Sequence, residues 1–404
     1  MPARSAYFAS ARAHTAVAPV PNGPRWIASG RSPGSVPSAD DLAFFESITV
    51  PHTSVAVLEN TAKWRNVEPA DGVWSFAAVD ADVEWARARR FLVKGHPLLW
   101  GNGPPLGSSG GPQWLVDRFP SPSLTPSQRE ALRGYLRRHV ETTVGRHRGR
   151  IGIWDATNET LNLTTPWFID RLGHGITDDV FRWAHAADPG ATLVFNEWIV
   201  EVFTGFPTPT AAEVRDRVRA LLAAGVSVHA IGQQSHYAPT LAYVGVPVDL
   251  SGRTRIDDYA AALNALAEAG LPIHMTETNF VQPDDPEQRA AQAEGIMRLW
   301  WGHPSVEQIV VWGIWNKVAG RDEFDVGLWD DARRITRHGE AMLSLLNDRW
   351  RTRATLTADA AGAVQLDATL GEYVVEWAAP GGPAHAAFTL ERGPGRAVVV
   401  VGAP

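Results

Sequence analysis

The stretch IGIWDATNET, residues 151–160, decides how the rest of the chain is read. A short apolar run climbs through Trp154-Asp155 and ends on the polar pair Asn158-Glu159. A second run, LPIHMTET at 271–278, also ends on an acid, Glu277. Apolar runs of this length, bounded by polar residues, read as strands buried on both faces, which is the habit of parallel sheets. Each strand delivers a carboxylate at its C-terminal end.

Five further segments share that character: SVAVLE (54–59), FLVKGHPLLW (91–100), ATLVFNEW (191–198), VHAIGQQSH (228–236) and EQIVVWGIW (307–315). Helical patterns separate them. The clearest are TPSQREALRGYLRRHVETTVGRH, TAAEVRDRVRALLAAG and RIDDYAAALNALAEAG, with apolar residues recurring at three and four and with Thr or Asp near their starts. Seven such strands predict an α/β fold, a (β/α)8 TIM barrel over residues 41–350. RWIASG at 25–30 is a candidate for the missing first strand. A doubly wound sheet is the competing architecture, but no glycine-rich phosphate loop follows any of the strands.

The flanks differ from this core. Residues 1–40 are rich in Ala, Ser, Pro and Gly, carry four arginines and no acid before Asp40, and lack the apolar segment of a secretory signal. They read as a flexible leader that contains the candidate first barrel strand, with a transit peptide as the alternative. Residues 351–404 form a small β-rich C-terminal domain, its expected strands being TLTAD, AVQLDA, EYVVEW, AAFTLE and RAVVVV.

Composition excludes several classes of function. With a net charge of −7 and a pI near 6.0 there is no basic footprint for nucleic acid. No apolar run reaches 18 residues, so no membrane span is expected. Zero cysteines exclude disulfides, thiolate metal sites and a cysteine nucleophile. There is no HExxH, and the other histidines show no compact metal-ligand spacing. GRSPG at 30–34 fits the G-x-S-x-G pattern but has no strand before it and no helix after. The sequons at Asn158 and Asn162 are incidental, since a glycan on Asn158 would fill the proposed cleft.

In a barrel, chemistry sits at the C-terminal ends of the strands. Reading those ends collects Glu59-Asn60 with Lys63, His96 and Trp100, Asn158-Glu159, Asn196-Glu197-Trp198, Gln234 and His236, Glu277, and Trp312 with Trp315. Carboxylates, amides, imidazoles and indoles in one pocket suit a carbohydrate, whose hydroxyls need polar partners and whose ring faces need an aromatic floor. The 17 tryptophans against 6 tyrosines fit that use, although many must simply fill the core.

VLENTAKWRNVEPADGVWSF, VKGHPLLW, GRIGIWDATNET, AADPGATLVFNEW, IGQQSH, HMTET and VVWG occur in the order of the signature segments of glycoside hydrolase family 10. The chain resembles that family of retaining endo-β-1,4-xylanases over residues 41–348, and its tail resembles the small β extension of plant-type members. Residue by residue, the resemblance implies that Glu159 is the acid/base and Glu277 the nucleophile. Asn158 would hold the 2-hydroxyl of the sugar being cleaved. His236 would bond Glu277 with Gln234 beside it, and His96 and Trp312 would enclose the same sugar. Glu59, Asn60 and Lys63 would bind the next sugar out, Trp100 matches the tryptophan that follows the His96 motif, and Trp315 stands where a second aromatic wall would lie. No cofactor or metal is implied; the expected partner is xylan, and a monomer is expected. An exo-acting or short-oligosaccharide β-glycosidase, and a non-hydrolytic carbohydrate-binding barrel, are the alternatives. Polymeric xylan implies secretion, for which the visible N-terminus carries no signal.

The family pattern is not kept everywhere. Gly101 replaces the histidine expected after Trp100, Thr278-Asn279 replaces Leu-Asp after Glu277, and Asn196-Glu197-Trp198 stands for NDY. Trp315-Asn316-Lys317 follows Trp312 where an acid and a later Ser-Trp are usual. These changes leave both glutamates in place and bear on substrate preference.

Overall fold

A computed structural model describes residues 5–12, 16–17, 19–20, 38–100, 111–161, 167–199, 209–236, 255–280, 285–318, 327–350, 352–360, 362–368, 371–379 and 382–390. The strands in chain order are β1 (Ser5–Arg12), β2 (Ala16–Val17), β3 (Pro19–Val20), β4 (Val55–Leu58), β5 (Leu92–Gly95), β6 (Leu99–Trp100) and β7 (Ile153–Asn158). Then come β8 (Thr192–Glu197), β9 (Ala230–Ser235), β10 (Ile273–Thr278), β11 (Val306–Val311), β12 (Arg353–Thr357), β13 (Gly371–Ala379) and β14 (Gly382–Leu390).

One sheet runs β2-β11-β10-β9-β8-β7-β5-β4-β3, with β6 also on β7. Its first and last members are consecutive in sequence. β2 pairs in parallel with β11, and β3 in parallel with β4. The sheet therefore closes on itself into the eight-stranded parallel barrel that the sequence predicts, with helices following the strands. The edge between β11 and β4 is closed by Ala16–Val17 and Pro19–Val20. RWIASG, the segment expected to do this, lies outside the described residues.

Local sequence explains the helical layer. Helix Pro126–Arg146 begins with a capping box in which Thr125 and Gln128 bond each other's backbone, and helix Ala211–Ala223 repeats the device with Thr210 and Glu213. Each cap satisfies N–H groups that the helix cannot, a contribution of about 1 kcal/mol. Between helices and strands lies a continuous apolar core that includes Trp64, Trp154, Phe181, Phe195 and Trp300. At Gly95 a Cβ would fall 2.2 Å from the Trp154 ring, so the close packing of β5 on β7 requires glycine there.

Inside the barrel are two small apolar clusters, Val55, Val57, Val310 and Trp312 on one side and Ile153, Val194 and Ala230 on the other. They flank a buried polar group in which Lys94 Nζ meets Asp155 Oδ1 at 2.9 Å and Asp155 Oδ2 meets His96 Nδ1 at 2.8 Å. Buried charges persist only when paired, and here each is.

A second, antiparallel sheet has the order β12-β1-β13-β14. The leader is thus a strand partner of the tail: Phe8 lies opposite both Ala354 and Val375. Of the expected tail strands, those around TLTAD, EYVVEW and AAFTLE form, and RAVVVV lies outside the described residues. AVQLDA forms none. It leaves a turn in which Asp359 bonds the backbone of Gly362 and Ala363, and the place beside β12 is taken by β1.

Candidate active site

Both catalytic candidates stand where a strand loses its regular register. Along β10, Met275 is opposite Gln233 of β9 but Glu277 is opposite Gln234, so one residue is extra. A bulge of this kind turns consecutive side chains to the same face. The hydrogen bonds agree: Thr276 Oγ1 donates to Asn196 Oδ1 at 2.6 Å, and the next residue, Glu277, accepts from Asn196 Nδ2 at 2.9 Å. Along β7 the register also slips, between Asp155 and Thr157. Asp155 contacts His96 deep in the barrel, while Asn158 bonds Asn196 across the strand pair.

Glu159 follows the end of β7 with φ +53°, the left-handed region that non-glycine residues avoid. Holding a residue there costs about 1–2 kcal/mol, and such strain gathers at functional sites. Its N–H donates to the Asn196 carbonyl at 2.9 Å, which fixes the turn.

Three amides connect the two carboxyl groups. Gln234 Nε2 donates to Glu159 Oε1 at 3.2 Å and to Asn158 Oδ1 at 2.9 Å. Asn196 Nδ2 donates to the same Asn158 oxygen at 2.6 Å and to Glu277 Oε1. Only two amide nitrogens and one oxygen thus separate Glu159 from Glu277. These contacts occupy both hydrogens of the Asn196 amide and its carbonyl, so that side chain has no freedom left. The Asn158 Nδ2 and Gln234 Oε1 atoms, both buried, have no partner among the described residues. They are a donor and an acceptor available to a ligand.

The surroundings drive the two acids apart. Burial raises the pKa of Glu159, and the negative charge of Glu277 raises it further, against smaller opposing hydrogen bonds from Trp100 and Gln234. Burial would also raise Glu277. The attraction of His96, the His236 and Asn196 hydrogen bonds and the attraction of His236 together outweigh it and bring Glu277 down to about 2. His236 Nε2 lies 2.9 Å from Glu277 Oε2, and His96 Nδ1 lies 3.9 Å from Glu277 Oε1. On the other side of its ring, His236 Nδ1 meets Asn279 Nδ2 at 3.2 Å, so the residue that departs from the family pattern still holds the imidazole. The surroundings therefore favour the proton on Glu159 and the charge on Glu277, which is the division of labour a proton donor and a nucleophile need.

Aromatic rings wall the site. Trp312 packs edge-on to His96 and His236, with ring centroids 5.4 and 5.9 Å away. Trp198 packs on His236 at 5.5 Å. Trp100 Nε1 donates to Glu159 Oε2 at 2.9 Å, and the Lys63 ammonium lies 5.1 Å from the centre of the same indole. Lys63 Nζ also donates to Asn60 Oδ1 at 2.8 Å. Burial lowers the Lys63 pKa, and the fields of Glu59, Glu277 and Glu159 oppose that, so this lysine senses both acids.

Glu59, Asn60, Lys63, His96, Trp100, Asn158, Glu159, Gln234, His236, Glu277 and Trp312 thus converge on the C-terminal mouth of the barrel. Trp315 does not join them, which corrects the expectation of a second aromatic wall. It is fully buried, its Nε1 donates to the Asp330 carbonyl at 3.0 Å, and Phe44, Lys317 and Arg333 cover the ring. Asn196, collected from the sequence with the other strand-end residues but given no contact there, belongs to the site, and so do Asp155 and Thr276, which that reading of strand ends left out. Asn196 had one signal, a lone amide closing the apolar run ATLVF.

The family model for glycosyl hydrolase family 10 matches residues 37–333. The anti-sigma-I factor RsgI6 of Acetivibrio thermocellus is 30% identical over 345 residues, covering 85% of this chain, which spans 40% of that longer protein. Endo-1,4-beta-xylanase B of Paenibacillus barcinonensis is 27% identical over 298 residues, 68% of this chain and 81% of the relative. In fold the barrel is similar to native xylanase 10B of Thermotoga maritima, with a TM-score of 0.65 at 24% identity over 83% of this chain and 95% of that one.

Proposed function

This chain belongs to glycosyl hydrolase family 10, and from that premise we propose that it hydrolyses internal β-1,4-xylosidic bonds of xylan with retention of anomeric configuration. The observation that carries the reading is the pair of linked, buried carboxyl groups whose pKa values are pushed in opposite directions.

Glu277, ionised, attacks the anomeric carbon while Glu159 gives its proton to the departing glycosidic oxygen. A covalent glycosyl ester forms and the first product leaves. Once the ester has formed, the charge that raised the Glu159 pKa is gone. Glu159, now ionised, takes a proton from water, water attacks the same carbon, and Glu277 is released as carboxylate. The vacant Asn158 Nδ2 suits the 2-hydroxyl of the sugar at the reacting carbon, where hydrogen bonds strengthen toward the transition state. Lys63, Asn60 and Glu59 supply polar partners to the next sugar beside the Trp100 ring.

Reducing-sugar release from soluble xylan, with product sizes followed over time, tests the proposal. Early products of mixed length indicate internal cleavage. Steady release of one short product from chain ends supports an exo-acting enzyme instead. Binding of xylan without any release leaves only the carbohydrate-binding reading. Because polymeric xylan lies outside cells, we place the action there, and recovery of the protein solely from washed cell interiors would contradict that placement.

A further inference from the structure

Beside the substrate-facing residues lies another buried acid, bonded to the residues that directly follow the acid/base. Glu197 ends β8, one residue after Asn196, and is fully buried. Its Oε1 accepts three hydrogen bonds: from the Thr160 N–H at 2.6 Å, the Thr160 hydroxyl at 2.9 Å and the Leu161 N–H at 3.0 Å. These are the two residues directly after Glu159, whose φ is +53°. The N–H of Glu159 itself is held by the carbonyl of Asn196. Two neighbouring residues of one strand therefore grip the strained turn, Asn196 at the Glu159 N–H and Glu197 at the two residues that follow it.

We infer that Glu197 is a positioning residue for proton transfer: its Oε1 clamps the Thr160–Leu161 backbone and so aims the Glu159 carboxyl at the glycosidic oxygen. The inference rests on the assignment of Glu159 as acid/base. Glu197 Oε2 is buried with no partner among the described residues, and burial, above all, pushes this carboxyl up to about 8. At neutral pH the clamp is an uncharged acid. What it supplies is a carbonyl-type acceptor, which an amide of the same length supplies equally well.

A residue that merely stabilises the fold would slow every substrate alike. A residue that aims the acid would not, because dinitrophenolate departs without a proton while a xylosyl alcohol needs one. The experiment compares kcat/KM of wild type, E197A and E197Q on xylotetraose and on 2,4-dinitrophenyl β-xylobioside. E197A is expected to lose about 10²-fold on xylotetraose, the scale of a displaced catalytic group, while staying within about threefold of wild type on the activated glycoside. E197Q, keeping the acceptor, is expected to recover most of the loss. If E197A is not recovered folded, E197D withdraws the oxygen by one methylene and carries the same comparison. Equal losses on both substrates, no loss on either, or an E197Q as impaired as E197A would overturn the inference. Failure of the catalytic assignment itself would look different: wild type would cleave neither substrate.

Discussion

Replacing Asn196 by alanine removes the one side chain that, among the described residues, hydrogen-bonds both Asn158 and Glu277. Three hydrogen bonds disappear, to Asn158 Oδ1, to Glu277 Oε1 and from the Thr276 hydroxyl. Asn158 Oδ1 keeps its bond from Gln234, and Glu277 keeps His236. The loss that matters to the reaction is the bond to the ionised carboxylate. Hydrogen bonds to charged groups contribute roughly 1.5–3 kcal/mol, so a nucleophile loosened by about 2 kcal/mol loses about thirtyfold in kcat/KM. The sign of the pH effect follows from the same contact. The Asn196 bond lowers the Glu277 pKa, so removing it raises that pKa and moves the acid limb of kcat/KM to higher pH. The assay is the pH profile of kcat/KM for Asn196→Ala on an aryl xylobioside and on xylotetraose. Because the defect lies in the nucleophile, both substrates should suffer alike, in contrast to the pattern expected at Glu197. Wild-type rates with an unmoved acid limb would refute the reasoning.

Three further outcomes follow from particular contacts. At Gly232 an added Cβ would lie 2.4 Å from Asn196 Oδ1 and 2.9 Å from Val194 Cγ1, so Gly232→Ala should displace the same amide. It should reproduce the acid-limb shift and cost about 1–3 kcal/mol of stability by denaturant melt, and a variant matching wild type in both would show that Asn196 can yield freely. Trp100→Phe deletes a bond that favours ionised Glu159, so the alkaline limb should rise in pH; a limb that stays or falls contradicts the contact. Asp82, buried with Oδ1 unpartnered among the described residues, is pushed up to about 8 from 3.8, chiefly by burial. Between those values the unfolded chain is ionised while the fold keeps the proton. Stability is therefore full below the lower value and falls by about 1.4 kcal/mol per unit as pH rises to the upper one. Asp82→Asn lacks that slope, so thermal melts should coincide near pH 4 and favour the variant progressively up to pH 8. Parallel curves would refute the shift.

The barrel was legible because parallel strands buried on both faces write themselves as short apolar runs, and because all of these runs but the last, which meets Trp312, lead into polar residues. That rule finds Glu159 and Glu277 without reference to any relative. The closing strand escaped it. Ala16–Val17 and Pro19–Val20 are too short and too broken by proline to stand out, and their place is fixed by partners at both ends of the barrel. The same holds for Ser5–Arg12, whose partners lie more than three hundred residues away. Bulges are equally silent in sequence. Nothing in HMTET announces that Thr276 and Glu277 point to one side, yet that slip lets Asn196 hold both. Trp315 shows the reverse error: a tryptophan near a strand end suggests a binding face, and only its contacts with Phe44 and Asp330 reveal packing.

Hydrolysis with retention requires Glu277 to form a covalent bond to sugar. Incubation with 2,4-dinitrophenyl 2-deoxy-2-fluoro-β-xylobioside, followed by peptide mass mapping, measures this directly, since the fluorine slows both steps while the dinitrophenolate leaving group keeps formation of the ester fast. The result predicted is one equivalent of sugar on the peptide containing Glu277, absent in Glu277→Gln. A label on any other carboxylate, or hydrolysis with inversion and no trapped species, would contradict it.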